Sequence, residues 1–84
     1  MGKVQCVYKL MPEDDETDLD EIKEQARERI DVDDVQEEEV AFGLKAVMIS
    51  TITSDDEGGT DAVEEELSGI EGVQSIELEH FDKL

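Results

Sequence analysis

Apolar and polar positions alternate along residues 3–11, with Val4, Cys6, Tyr8 and Leu10 on one face and Gln5, Val7 and Lys9 on the other. That period of two predicts a half-buried strand, ended by Pro12 and the acidic loop EDDET. The period then changes. Leu19, Ile22, Ala26 and Ile30 recur on one helical stripe, and Glu21, Lys23, Glu24, Arg27 and Glu28 fill the opposite face, which predicts an amphipathic helix of about three turns. Thr17, followed three residues later by Asp20, reads as its capping box.

Residues 31–34 form a short acidic link, and residues 35–39 read as a strand fit only for a sheet edge, because its EEE run suits solvent and deters unwanted pairing. Gly43 marks a turn or bulge. Residues 44–53 are rich in Val, Ile and Thr and largely apolar on both faces, which predicts a central strand with some cover on each side. A loop follows at residues 54–59, and Thr60 caps a second helix that turns Ala62, Val63 and Leu67 inward. Gly69 and Gly72 flank the end of that helix. A last strand at residues 73–81 directs Ile76 and Leu78 inward and Glu77 and Glu79 outward.

The order strand, helix, strand, strand, helix, strand predicts an α+β, ferredoxin-like βαββαβ fold, with a four-stranded antiparallel sheet and both helices on one face. Right-handed crossovers put the first and third strands in the centre. Eighty-four residues suffice for one such domain over residues 1–84.

Charge then restricts the function. Asp and Glu number 26 against 7 Lys and Arg, a formal charge of −19. The acids occupy every polar face and loop, a distribution that fits adaptation to molar salt, where the screening length falls to about 3 Å. Mimicry of nucleic acid would concentrate them on one face. Direct DNA or RNA binding is disfavoured, since phosphate contacts need Lys and Arg clusters that are absent. Cys6 stands alone, so there is no internal disulfide and no cysteine-based metal site, in keeping with a reducing cytoplasm. The N-terminal residues carry no secretory pattern, and no window is long and apolar enough for a membrane span.

No catalytic constellation emerges. His80 is the only histidine and sits near a strand end, where a solvated side chain is the ordinary reading. A calcium loop starting at Asp55 would need glycine at its sixth position and finds Thr60. No cofactor or specific metal site is expected, and the remaining role is protein binding. Phe42, an aromatic placed before the turning Gly43, either caps the core or serves as an exposed anchor of the kind that dominates interfaces. Lys83 is either a solvated chain end or a rare cation on an acidic surface.

The segments MGKVQCVYKLMPE, TDLDEIKEQARERI, VAFGLKA and EGGTDAVEEELSGIEGVQSIELEHFDKL resemble the archaeal elongation factor 1-beta family, in order and over the whole length, with the acidity of its halophilic members. The resemblance implies guanine-nucleotide exchange on elongation factor 1-alpha during translation, without a chemical reaction of the protein's own. It also implies a partner contact through Phe42 and Gly43 of the FG turn, with Lys83 reaching toward the magnesium site of the GTPase. Lys45 matches a basic position of related exchange domains. The competing expectation is an acidic interaction module that keeps nucleic acid off basic partners, and a weaker one is a divalent-cation buffer.

Overall fold

The computed structural model describes residues 2–41, 43–54 and 59–84. Six elements follow one another: β1 (Lys3–Pro12), α1 (Leu19–Arg29), β2 (Val32–Ala41), β3 (Leu44–Ser54), α2 (Gly59–Ser68) and β4 (Val73–Lys83). The strands form one antiparallel sheet in the order β2-β3-β1-β4. This is the expected ferredoxin-like arrangement, with β1 and β3 central.

Alternation in β1 explains the layering. Val4, Cys6, Tyr8 and Leu10 are fully or almost fully buried and meet Val47 and Ile49 of β3 under Ile22 and Ala26 of α1 and Val63 and Leu67 of α2. Burying a Val, Leu or Ile side chain of this kind contributes about 1.5–3 kcal/mol. Thr51 is the one buried polar side chain among the described residues, and its Oγ1 donates to the Asp31 carbonyl at 2.5 Å, so no unsatisfied hydroxyl is left in the core.

Ala62 of α2, expected inward, is exposed, and four further details depart from the sequence expectation. The cap of α1 is Asp18, not Thr17: the Asp18 carboxylate accepts from the backbone N–H groups of Asp20 and Glu21. Thr17 is engaged one step earlier, donating to Asp14 Oδ1 at 3.1 Å and accepting from the Asp14 backbone N–H. A carboxylate at the helix start also complements the macrodipole.

Strand β2 is twice the expected length and absorbs the acidic link. The long β3 supplies a template, and only Val32 and Val35 need to face the core. On β3, the side away from the helices has no covering layer among the described residues, leaving Ile52 38% exposed.

The fourth departure is on β4. Leu78 is 39% exposed and not buried as its alternation suggested. It lies on an edge strand, and the register slips there: Leu78 pairs with Tyr8 but His80 with Val7, leaving Glu79 as the extra residue of a bulge. The slip reverses the alternation beyond it, so Phe81, opposite Cys6, and Lys83, opposite Val4, turn toward the helix side. The Thr60 cap expected for α2 falls outside the described side chains.

Candidate partner-binding site

The β2–β3 hairpin closes with Ala41 opposite Leu44, after an irregularity beyond Glu39. Gly43 in this turn has φ +78°, a left-handed conformation that glycine adopts without the Cβ penalty. It is exposed, and a Cβ built on it would meet nothing within 4 Å. Phe42 lies outside the described residues.

Lys45 follows on β3, exposed and opposite Glu39. The neighbouring Glu37 carboxyl is held below its usual range, chiefly by a hydrogen bond and charge attraction from Lys23, with a smaller pull from Lys45. Lys23 of α1 reaches across to Glu37 and also lies 3.7 Å from Asp20.

At the other end of the sheet, Lys83 is exposed but its backbone is not frayed. It pairs with Val4, and the N–H of Leu84 donates to the Lys3 carbonyl at 2.9 Å. The register joins Lys83, Val4 and Thr53 in one row. Thr53 lies nine residues along β3 from Leu44, roughly 30 Å at about 3.4 Å per residue. The molecule is 41 Å long on its greatest axis. The structure therefore does not bring Gly43 and Lys83 together: they stand at opposite ends.

Among the described residues, Lys9, Lys23 and Arg29 are engaged in ion pairs, with Glu79, Asp20 with Glu37, and Glu66 respectively. Lys3, Arg27, Lys45 and Lys83 have no such partner among the described residues, despite the acidic surroundings. Sequence reasoning missed Phe81, which is 46% exposed on the same face as Lys83. The only signal was a break in alternation at HFDK, which becomes legible once the bulge at Glu79 is seen. His80 lies on the opposite face, 3.8 Å from Asp82.

Among the described residues no cluster of three or more His, Cys, Asp or Glu side chains is placed to hold a metal ion, and no helix is long and apolar enough to cross a membrane. The candidate calcium loop at Asp55 lies largely outside the described residues. The carboxylates are spread over α1, β2, α2 and β4 and not gathered on one face.

Residues 5–84 match the model of the EF-1 guanine nucleotide exchange domain. The chain is 43% identical to an elongation factor 1-beta of Methanothermobacter thermautotrophicus, covering all of this chain and 99% of the relative. It is 39% and 40% identical to the elongation factors 1-beta of Natronomonas pharaonis and Haloarcula marismortui, in each case over the full length of both chains. The latter two are halophilic archaea. With the fold, the length and the exchange-domain match in agreement, this chain belongs to the archaeal elongation factor 1-beta family.

Proposed function

We propose that this protein promotes GDP release from elongation factor 1-alpha during translation elongation, in the cytoplasm of a salt-loaded cell. The observation that carries the reading is the match to a guanine nucleotide exchange domain over residues 5–84. No bond to a substrate is made or broken; the protein acts by differential binding. A factor that lowers nucleotide affinity must, by linkage, bind the nucleotide-free GTPase more tightly than the GDP-bound form.

The two ends of the sheet act differently. Lys83, free of an ion pair among the described residues, carries an ammonium toward the magnesium and phosphate region of the GTPase. Two unit charges about 4 Å apart interact by about 4 kcal/mol at an effective dielectric of about 20, enough to weaken magnesium and GDP together. Phe42, beside the exposed Gly43 turn, wedges against a second patch of the GTPase some 30 Å away along the sheet. Gly43 allows the turn that presents the ring, and Lys45 flanks it. A rigid sheet held at both ends transmits strain between the two patches.

The test is release of labelled GDP from elongation factor 1-alpha in molar KCl, with and without this protein. The wild type accelerates release; Lys83→Ala and Phe42→Ala each remove most of the acceleration. A wild type that leaves the release rate unchanged defeats the proposal.

A further inference from the structure

We infer that the helix-free face of the sheet is a docking surface for a cationic amphipathic helix of another protein. Both helices cover one side, and the other side has no covering layer among the described residues. Down its middle run Val7 and Met11 of β1 and Met48 and Ile52 of β3, all half-buried or exposed. They alternate between the strands in successive rows, Ile52 opposite Gln5, Val7 opposite Ser50 and Met48 opposite Lys9, and an apolar zigzag of this kind along two central strands marks a contact area more than scattered apolar residues do. Methionine is the adaptable residue for such contacts, since its unbranched side chain fits irregular partners.

Carboxylates border the stripe on both edges. Asp34 and Glu38 stand on β2, where they line a groove with Val7, Gln36, Met48 and Ser50. On β4, Glu77 is opposite Lys9 and Asp82 is opposite Gln5, which puts both on this same open face. Lys3 and Lys9 lie on the same face, Lys9 tied to Glu79 at 3.9 Å, and His80 stands opposite Val7 beside Asp82.

The dimensions select a helix. Two edge strands separated by three strand spacings lie roughly 14 Å apart, and a helix with its side chains is about 10–12 Å across. The open face of β1 from Lys3 to Met11 extends over roughly 27 Å, the length of a helix of about 18 residues. Such a helix lays an apolar face on the methionines and extends Lys or Arg side chains to both acidic borders. The same borders exclude nucleic acid and repel a second copy of this chain. The surface is separate from the hairpin tip and from Lys83, which faces the helix side.

The experiment titrates the full chain in molar KCl with a fluorescent Leu/Lys peptide of about 18 residues, designed as an amphipathic helix, beside a scrambled peptide of equal composition. Amide resonances of the labelled protein map the contact. The designed helix is expected to bind with resonance changes confined to the open-face residues of the four strands, and the scrambled peptide to bind at least about tenfold more weakly. Met48→Glu is expected to lower affinity about tenfold by placing a charge in the apolar floor. Asp34→Lys with Glu38→Lys, two exposed positions that do not endanger folding, is expected to weaken binding in dilute salt and less so in molar salt. Glu65→Gln with Glu66→Gln on α2 is expected to leave affinity within about twofold. Equal binding of the scrambled peptide, resonance changes spread over α1 and α2, or affinity that follows total charge regardless of position would overturn the inference. So would sedimentation showing that the open face is already closed by a second copy.

Discussion

Arg29 of α1 closes the C-terminal end of α2 at Gly69. Its guanidinium donates to the Gly69 carbonyl at 3.2 Å and to the Glu66 carbonyl at 3.4 Å. Helix α2 has no basic residue in its own last turn, so the cation that complements its dipole comes from the other helix. Glycine at position 69 makes room for this: a Cβ there would stand 2.7 Å from Arg29 Nη1.

Gly69→Ala is therefore expected to displace the guanidinium and cost about 1 kcal/mol, in spite of alanine's lower unfolded-state entropy. Arg29→Ala is expected to cost a similar amount, kept small because the side chain is partly solvated. The double variant is the informative one. Since both changes remove the same cap, its cost should match that of Arg29→Ala alone, measured by urea unfolding in molar KCl. Full additivity would show that Gly69 matters for another reason.

The bridge from Lys23 to Glu37 ties α1 to the edge strand and predicts a pH dependence. Glu37 is held below its usual range in the folded protein by its hydrogen bond and charge contact with Lys23. A depressed carboxyl binds fewer protons in the folded state than in the unfolded one. Its contribution is thus fully present above the ordinary carboxylate range and is lost as the pH falls through the lower, folded value. The unfolding midpoints of wild type and Glu37→Gln should differ at neutral pH and converge in acid. A constant difference across the titration would mean that the bridge does not hold the proton balance of Glu37.

Much of this architecture is readable locally, because β1 and α1 each have one strong period that burial enforces and β3 is marked as central by its run of Val, Ile and Thr. The failures share a cause. Strand β2 looked short because a run of acids hides a period of two, yet an edge strand needs only Val32 and Val35 on its covered face. Leu78 does face the helix side, opposite Tyr8, but stays exposed because β4 is an edge strand, and Phe81 reaches that side only because the bulge at Glu79 reverses the alternation beyond it; no residue type signals a slip of register. Arg29 acts across 37 and 40 residues of sequence, which local pattern cannot reveal. Of the candidate contacts, Gly43 is legible as a turn and Lys83 as a rare cation on an acidic surface, whereas a role for Lys83 comes only from the family resemblance.

Cys6 is fully buried, and burial pushes its thiol above the ordinary range, with the charge of Glu64 adding to the rise and a hydrogen bond from Tyr8 opposing it. Thiolate is the reactive form, so labelling by a disulfide reagent should proceed only as fast as the protein opens. Labelling rates should rise steeply with urea. Cys6→Ser should destabilise by about 1–3 kcal/mol by burying a hydroxyl with weaker compensation. Fast labelling in the native state would show that the first strand opens independently.

The carboxylates exposed on both helices and on both edge strands predict a requirement for salt. At −19, repulsion extends over about 10 Å at 0.1 M salt but only about 3 Å at molar ionic strength. The unfolding midpoint should climb with KCl and level off near the molar range. Exchanging Glu38 and Glu65 for lysine should reduce that dependence. An unchanged midpoint in dilute buffer would remove salt adaptation as the reason for the acidic coat.

Distance gives the last prediction its form. The Gly43 turn and Lys83 are separated by the length of β3, and the two ends share no contacting side chain among the described residues. Changes more than about 10 Å apart usually add in free energy. The loss of exchange activity in Phe42→Ala with Lys83→Ala should therefore equal the product of the single losses, measured as GDP release under saturating factor. If the ring and the ammonium instead disturbed one spot on the GTPase, the second substitution would add little to the first. A non-multiplicative result would thus place both groups on a single patch, against the geometry of the sheet, and would require the hairpin or the C-terminal strand to move by tens of ångströms on binding. Multiplicative losses support a factor that grips its partner at both ends and uses the stiffness of the sheet between them.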